Sequence, residues 1–545
     1  MTGWIDHLII VPVVLPLLAG ASMLMIEERR RTLKAGINLA STIILIAVAV
    51  TLLRLVDGPG ADGSASKIGV YLLGNWPASF GIVLVLDRLS ALMLVLTAVL
   101  ALASLLFALA RWHHAGIYFH PLFQFLIMGL NGAFLTGDLF NLFVFFEVLL
   151  AASYGLVLHG SGSRRVRAGL HYIVVNLAAS FLFLIGVSLI YGTTGTLNMA
   201  DLAARIPALA PEDEALFRAG AAVLWVAFLV KAAMWPLGFW LPSTYAASSP
   251  PVAAFFAIMS KVGVYAVLRV WLLIGGSEGA STLGDEWLFY GGIMTIVFGS
   301  IGVLASQDMA RLAGFSVLVS SGTLLAVIGV NDADVTAGAL FYLASSTLAL
   351  GAFFLLIELV ERGREVGADL LAVTREAFGD PEEEILDEDE QVGMPIPATM
   401  AVLGVSFVCC ALILIGLPPL SGFIGKFALL TGIFASDASG GSGAGPAAWA
   451  LLIMILWSGW ATLIGMTRAG IRSFWTEDRE VPRVGIIEMA PIVVLLGLCL
   501  ALTVEAGPVM RYMETTATAL HLPATYIEEV LSAPPVVAPE TMSGR

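Results

Sequence analysis

The 545-residue chain is 59% hydrophobic and only 12% charged, and apolar runs of about 20 residues recur along its length, which excludes a soluble globular domain. Those runs are too long and too uniformly apolar for barrel strands. The net charge of -14 carries no basic footprint, so nucleic acid is excluded as a partner, and neither a cofactor motif nor a metal-ligand spacing is readable around the three cysteines, Cys409, Cys410 and Cys499.

Hydropathy predicts an all-α polytopic membrane protein of fourteen transmembrane spans in a lipid bilayer. They fall near residues 8–26, 35–56, 88–110, 118–136, 138–159, 169–191, 217–240, 250–274, 286–305, 311–330, 335–360, 395–431, 447–470 and 485–506. The first run has no Lys or Arg ahead of it, whereas Arg29, Arg30, Arg31 and Lys34 follow it. This is the reverse of a secretory leader, so the run reads as a retained first span. Odd-numbered connections hold sixteen of the 27 Lys and Arg residues, and even connections plus the termini hold seven. The bias puts both termini outside and the odd loops in the cytoplasm. Between the eleventh and twelfth spans, "DPEEEILDEDE" (Asp380 to Glu390) reads as a solvated acidic stretch in a cytoplasmic loop over 361–394. The glycine- and serine-rich 436–445 reads as a flexible linker, and the tail beyond about 507 as peripheral. Histidines His7, His113, His114, His120, His159 and His521 fall at span ends or in loops and read as solvated, leaving His171 as the one candidate for proton uptake.

Four cations remain inside spans: Lys231, Lys261, Arg269 and Lys426. A lysine at mid-membrane costs roughly 2.5–3.5 kcal/mol on insertion, so three of them imply a use. Glu147, in "FNLFVFFEVLLAASYGL" on the fifth span, is the carboxylate available to Lys231, and such a pair acts as a proton switch when it opens and closes. In "FLVKAAMWPLGFWLP", Pro236 follows Lys231 by five residues and breaks the seventh span; in "GLPPLSGFIGKFALL", Pro418 and Pro419 stand in a similar relation to Lys426 in the twelfth. Matching breaks in two halves point to an inverted repeat. Lys261 on the eighth span lies between the two lysines in chain order and is placed to relay a proton, while Arg269 nearer the outer surface serves as an anchor or gate.

With these residues in hand, the stretch from about 60 to 506 resembles the antiporter-like membrane subunits shared by complex I, membrane-bound hydrogenases and Mrp-type multisubunit cation/proton antiporters. Within that group it looks most like the D-type subunit of the Mrp antiporters. The resemblance implies N-terminal helices over 1–117, inverted five-helix repeats over 118–274 and 286–470 with broken helices 7 and 12, and a last helix with its tail over 485–545. It implies Glu147 and Lys231 as the switching pair, Lys261 as the central relay and Lys426 as the terminal lysine. Asp308 and Arg311 match a polar patch suited to cytoplasmic proton uptake. Where relatives commonly carry a histidine bridging the middle and last lysines, this chain has Ser345, which orders water or hydrogen-bonds but holds no proton at neutral pH. The implied function is proton translocation in a multisubunit Na+ (or K+)/H+ antiporter of the bacterial inner membrane, driven by the proton motive force and working with other membrane subunits. It is a secondary transporter component, not an enzyme. A proton-pumping subunit of a redox complex and a non-transporting structural subunit are the competing readings.

Overall fold

The computed structural model describes residues 6–58, 67–116, 118–160, 162–275, 284–362, 398–439, 445–474 and 484–534. The acidic stretch 380–390, nearly all of the loop 361–394, residues 440–444 of the linker and the arginines 364, 375, 479, 483 and 545 lie outside the described residues.

With no water in the hydrocarbon core to take up backbone hydrogen bonds, the apolar runs close their bonds within themselves and form helices. Helices α1 (Val11–Met25) and α2 (Arg31–Val56) lead to a hairpin of β1 (Gly69–Leu72) and β2 (Val83–Leu86), antiparallel with Gly69 opposite Leu86. Next come α3 (Arg88–Ala110), α4 (Phe119–Leu135), α5 (Leu139–Val157), α6 (Ser163–Thr194), the short α7 (Met199–Arg205), α8 (Pro211–Lys231), α9 (Trp240–Ala247) and α10 (Pro250–Gly275). The second half holds α11 (Asp285–Ala305), α12 (Met309–Ile328), α13 (Ala333–Glu361), α14 (Ala398–Ile415), α15 (Ser421–Ser439), α16 (Pro446–Phe474), α17 (Ile486–Val504), α18 (Ala506–His521) and α19 (Ala524–Ser532). Side chains of Asp87, Asp138, Asn198, Asp308 and Asp332 accept from the first free N–H groups of α3, α5, α7, α12 and α13. Each of these helices therefore starts at a polar residue the sequence supplies.

Among the described residues, eleven helices are long and apolar enough to cross a membrane, and α1, α4 and α15 are shorter apolar helices. The seventh predicted span, 217–240, ends early as a helix, since α8 stops at Lys231 and the next helix, α9, starts only at Trp240 after Pro236; the twelfth is two helices, α14 and α15, separated at Pro418–Pro419; both breaks contain a cis X–Pro bond. Burial is uneven. The apolar stretches of α10 and α13 are wholly buried and that of α12 nearly so, whereas α2, α14 and α16 bury a third of theirs. A helix enclosed by others can carry polar groups that lipid would reject, and these three enclosed helices carry Lys261, Ser320, Ser345 and Ser346.

Several readings of the sequence are corrected. The tail is not peripheral: α18 packs on α13 and α19 on α7, burying Met513, Thr516, Ala517 and Leu520 at helical spacing together with Tyr526 and Val530. The hairpin and α7 were not predicted, since four-residue strands and a seven-residue helix are too short for periodicity to register. Nor are His120 and His159 solvated; both are buried, as is Lys34. One face of α2 meets α4 through a polar row in which Asn38 Nδ2 lies 2.9 Å from His120 Nδ1 and Gln124 Nε2 donates to Asn38 Oδ1 at 2.7 Å. Interhelical hydrogen bonds of this kind hold membrane helices together and draw such residues inward.

Candidate proton-translocation site

At the first break, α8 ends on Lys231 because the following residues leave the helix: Ala233 adopts φ 59°. The carbonyl of Val230 accepts from the Ala233 N–H at 3.1 Å and also from Trp240 Nε1 at 3.2 Å, and the N–H of Trp235 donates to Thr295 Oγ1 at 2.8 Å. Helix α10 passes this break at Gly263, where a Cβ would run into the backbone of Lys231 and Ala232. Only glycine lets the two backbones approach there. Lys231 Nζ lies 5.0 Å from the centre of the Phe146 ring, a cation–π contact. Glu147, the next residue on α5, accepts instead from the Ser180 hydroxyl of α6, and that hydroxyl is also 3.0 Å from the Asn176 carbonyl. Glu147 and Lys231 are not among the ion pairs within 4.0 Å found in the described residues. Between Lys231, Asn176, Tyr172, Trp240 and Met259 is a cavity of about 20 Å³, enough for one water.

Lys261 is fully buried on α10 and donates to Ser320 Oγ of α12 at 2.8 Å. Ser320 is in turn 3.0 Å from Ser346 Oγ on α13. The next-door hydroxyl, Ser345, faces the other way and donates to Ser421 Oγ, at the start of α15, at 2.8 Å. Lys426, further along α15, donates to the carbonyls of Ile415 and Leu414 at 2.8 and 3.2 Å. It thereby satisfies the acceptors left open where α14 stops. Gly416, with φ 84°, is the residue that turns the chain there, and a Cβ on it would lie 2.7 Å from Lys426 Cδ. The two breaks thus differ: at the first a backbone N–H and a tryptophan share the carbonyl before the lysine, and at the second the lysine itself holds the carbonyls.

Asp308 caps α12 and pairs with Arg164 at 2.9 Å, while Arg311 is exposed. Both line a mouth of about 880 Å³ together with Arg167, His171 and Ser243. Arg269 resolves into an anchor: it is buried, pairs with Asp87 at 2.5 Å, and lies 5.5 and 5.3 Å from the Tyr265 and Tyr526 rings. It ties α10 to the start of α3 and to the C-terminal α19.

Sequence reasoning missed Ser180, Ser320, Ser346, Ser421 and Asp87. The serines sit among many serines in apolar runs, and only the doublets "SS" at 320–321 and 345–346 could have drawn notice.

Fold and site together define a polytopic α-helical membrane protein with buried lysines threaded through its centre. The chain belongs to the NADH:quinone oxidoreductase/Mrp antiporter transmembrane family, whose sequence model matches residues 136–445. It is 61% identical to the D-type subunit of a probable K+/H+ antiporter of Rhizobium meliloti (strain 1021), covering 98% of this chain and 99% of the relative. It is 33% identical to the D-type subunit of the Na+/H+ antiporter of Alkalihalophilus pseudofirmus (strain ATCC BAA-2126 / JCM 17055 / OF4), covering 96% of this chain and 99% of that one. Among solved structures it superposes on a chain of the Mrp complex from Dietzia sp. DQ12-45-1b with a TM-score of 0.81 and 27% identity, over 97% of this chain and all of that one.

Proposed function

We propose that this chain is the proton-translocating membrane subunit of a multisubunit antiporter that exchanges Na+ or K+ for protons in a bacterial cell membrane, drawing on the proton motive force. The observation that carries the reading is the set of lysines at and between two broken helices, Lys231, Lys261 and Lys426, in a chain with few charges to spare. The names of the relatives support exchange, and the relative at 61% identity favours K+ as the cation. Other membrane subunits of the complex are its partners.

In this reading the chain crosses the bilayer fourteen times with both termini outside, as two inverted repeats over 118–274 and 286–470. The break at a proline near a lysine in each half supports the repeat. The mouth holding Asp308 and Arg311 then faces the cytoplasm. Glu147 and Lys231 switch between the separated arrangement, with Glu147 on Ser180 and Lys231 on the Phe146 ring, and a paired one. Pairing favours the charged form of both partners and separation releases the proton, which passes to Lys261 and then to Lys426. Serving as a transporter component, the chain makes and breaks no covalent bond in a substrate.

The test is the pH change induced by Na+ or K+ in inverted vesicles carrying the whole complex. Exchange present in the wild type and abolished by Lys231→Ala, with assembly intact, is the expected outcome. Wild-type exchange by an assembled Lys231→Ala complex would overturn it.

A further inference from the structure

Buried hydroxyls in these helices mostly bond back to the carbonyl one turn earlier, as Ser316 does to Leu312 at 3.0 Å, Thr323 to Val319 at 2.9 Å and Thr347 to Leu343 at 2.6 Å. Four serines bond across to other helices, and of these Ser346 keeps a back-bond to the Leu343 carbonyl at 3.3 Å. Ser320 bonds across to Lys261 and Ser346, and Ser345 bonds across to Ser421. All four are buried, they sit on α12, α13 and α15, and they occupy the space between the middle and last lysines. A hydroxyl both donates and accepts, so a serine that meets another polar group across helices can take a proton on one side and pass one on at the other.

We propose that Ser320, Ser346, Ser345 and Ser421 form the proton conductor between Lys261 and Lys426, a proposal that rests on the proton-translocating reading above. No serine stores the proton, so each oxygen must take one proton as it releases its own. An N–H bond of the Lys261 ammonium breaks as an O–H bond forms on Ser320, whose original proton moves to Ser346. The displacement continues through Ser345 and Ser421, and a neutral Lys426 amine takes the last proton. Lys261 ends neutral, Lys426 ends charged, and every serine ends with one hydrogen. The Ser345 hydroxyl already points along this direction, toward Ser421.

Two steps of the ladder are not hydrogen bonds in the structure, and they are where passage is controlled. Ser346 and Ser345 are consecutive on α13 and face different helices, so a proton crosses between them when the Ser346 hydroxyl leaves the Leu343 carbonyl and one hydroxyl rotates about χ1. At the far end Lys426 holds the Ile415 and Leu414 carbonyls, not Ser421. Its release from that broken end admits the proton.

The experiment compares Ser346→Ala and Ser421→Ala with Ser346→Thr and Ser421→Thr in inverted vesicles carrying the whole complex, with assembled complex quantified for each. Removing one hydroxyl should slow exchange by roughly tenfold or more, within the usual range for a lost proton-transfer group. The threonines, which keep the hydroxyl, should restore it, and exchange by the alanine variants should show a larger slowing in D2O than the wild type. If an alanine variant fails to accumulate, valine at the same position, the shape of threonine without a hydroxyl, replaces it. Wild-type rates in either assembled alanine or valine variant would overturn the ladder alone. Loss of exchange in the threonine variants as well would assign the serines to packing and overturn it too. A wild-type complex that exchanges nothing would instead overturn the parent reading.

Discussion

Ser180→Ala tests the proposed switch without touching either of its charges. In the structure Glu147 is held by the Ser180 hydroxyl, and Lys231 rests against Phe146. To pair, Glu147 must leave Ser180, which then has the Asn176 carbonyl 3.0 Å away as a replacement acceptor, so the hydroxyl is not orphaned. A hydrogen bond to a charged acceptor contributes about 1.5–3 kcal/mol. Ser180→Ala removes that hold from the separated arrangement only, leaving the cation–π contact in place. It therefore shifts the pair toward the closed state by about 1.5–3 kcal/mol, or roughly 10–150-fold. Where reopening limits the cycle, exchange slows by up to the same factor. The assay is the initial rate of K+- or Na+-dependent pH change in inverted vesicles at matched amounts of complex, with Ser180→Thr as the control that keeps the hydroxyl. A Ser180→Ala rate equal to wild type would refute the reasoning, because it would mean that the hold on Glu147 does not oppose closure.

Three further outcomes are expected. Asp87→Asn keeps the cap of α3 but strips the counter-charge from buried Arg269, so the purified complex should lose about 3–5 kcal/mol, read as a lower Tm, while Asp87→Leu with Arg269→Met should lose much less. Gly416→Ala forces a left-handed backbone on a residue with a Cβ, costing about 1–2 kcal/mol, and pushes Lys426 off its carbonyls; exchange in vesicles should fall. Burial pushes the His521 imidazole below its ordinary value of 6.5, with Asp332 opposing more weakly. Its folded pKa is depressed, so its contribution is present above pH 6.5 and is lost as pH falls below that value. Hydrogen exchange of α18 should accordingly be faster at pH 5.5 than at pH 7.5 once corrected for the intrinsic rate, and equal protection at the two would count against it.

How much of this was legible beforehand follows from which forces leave a local mark. A membrane span is written in twenty consecutive apolar residues, and a break in the proline beside it, so the helices and the interruptions at Pro236 and Pro418–Pro419 were readable. Lysines in apolar runs announce themselves by their insertion cost. Partners do not. That Lys261 meets Ser320, or that Arg269 meets Asp87 and Tyr526, depends on how α10 packs among helices distant in the chain. The same is true of Lys34 and His120, whose places near span ends suggested water when the packing of α2 on α4 encloses them. The tail was misjudged because an amphipathic helix that packs on protein has a lower mean hydropathy than one that meets lipid.

The full enclosure of α10 also bears on how the chain is made. During synthesis α10 is complete before α12 and α13 exist, so Lys261 and Arg269 must enter the bilayer without Ser320 and without their later cover. Its twelve Val, Leu, Ile and Phe residues favour insertion by about 0.3–0.6 kcal/mol each, whereas each basic residue opposes it by up to about 2.5–3.5 kcal/mol. The two sides nearly cancel, and the helix is marginal alone. The first half of this protein is thus a biosynthetic intermediate whose central helix depends on the second half, which gives the ribosome's order of work a structural consequence.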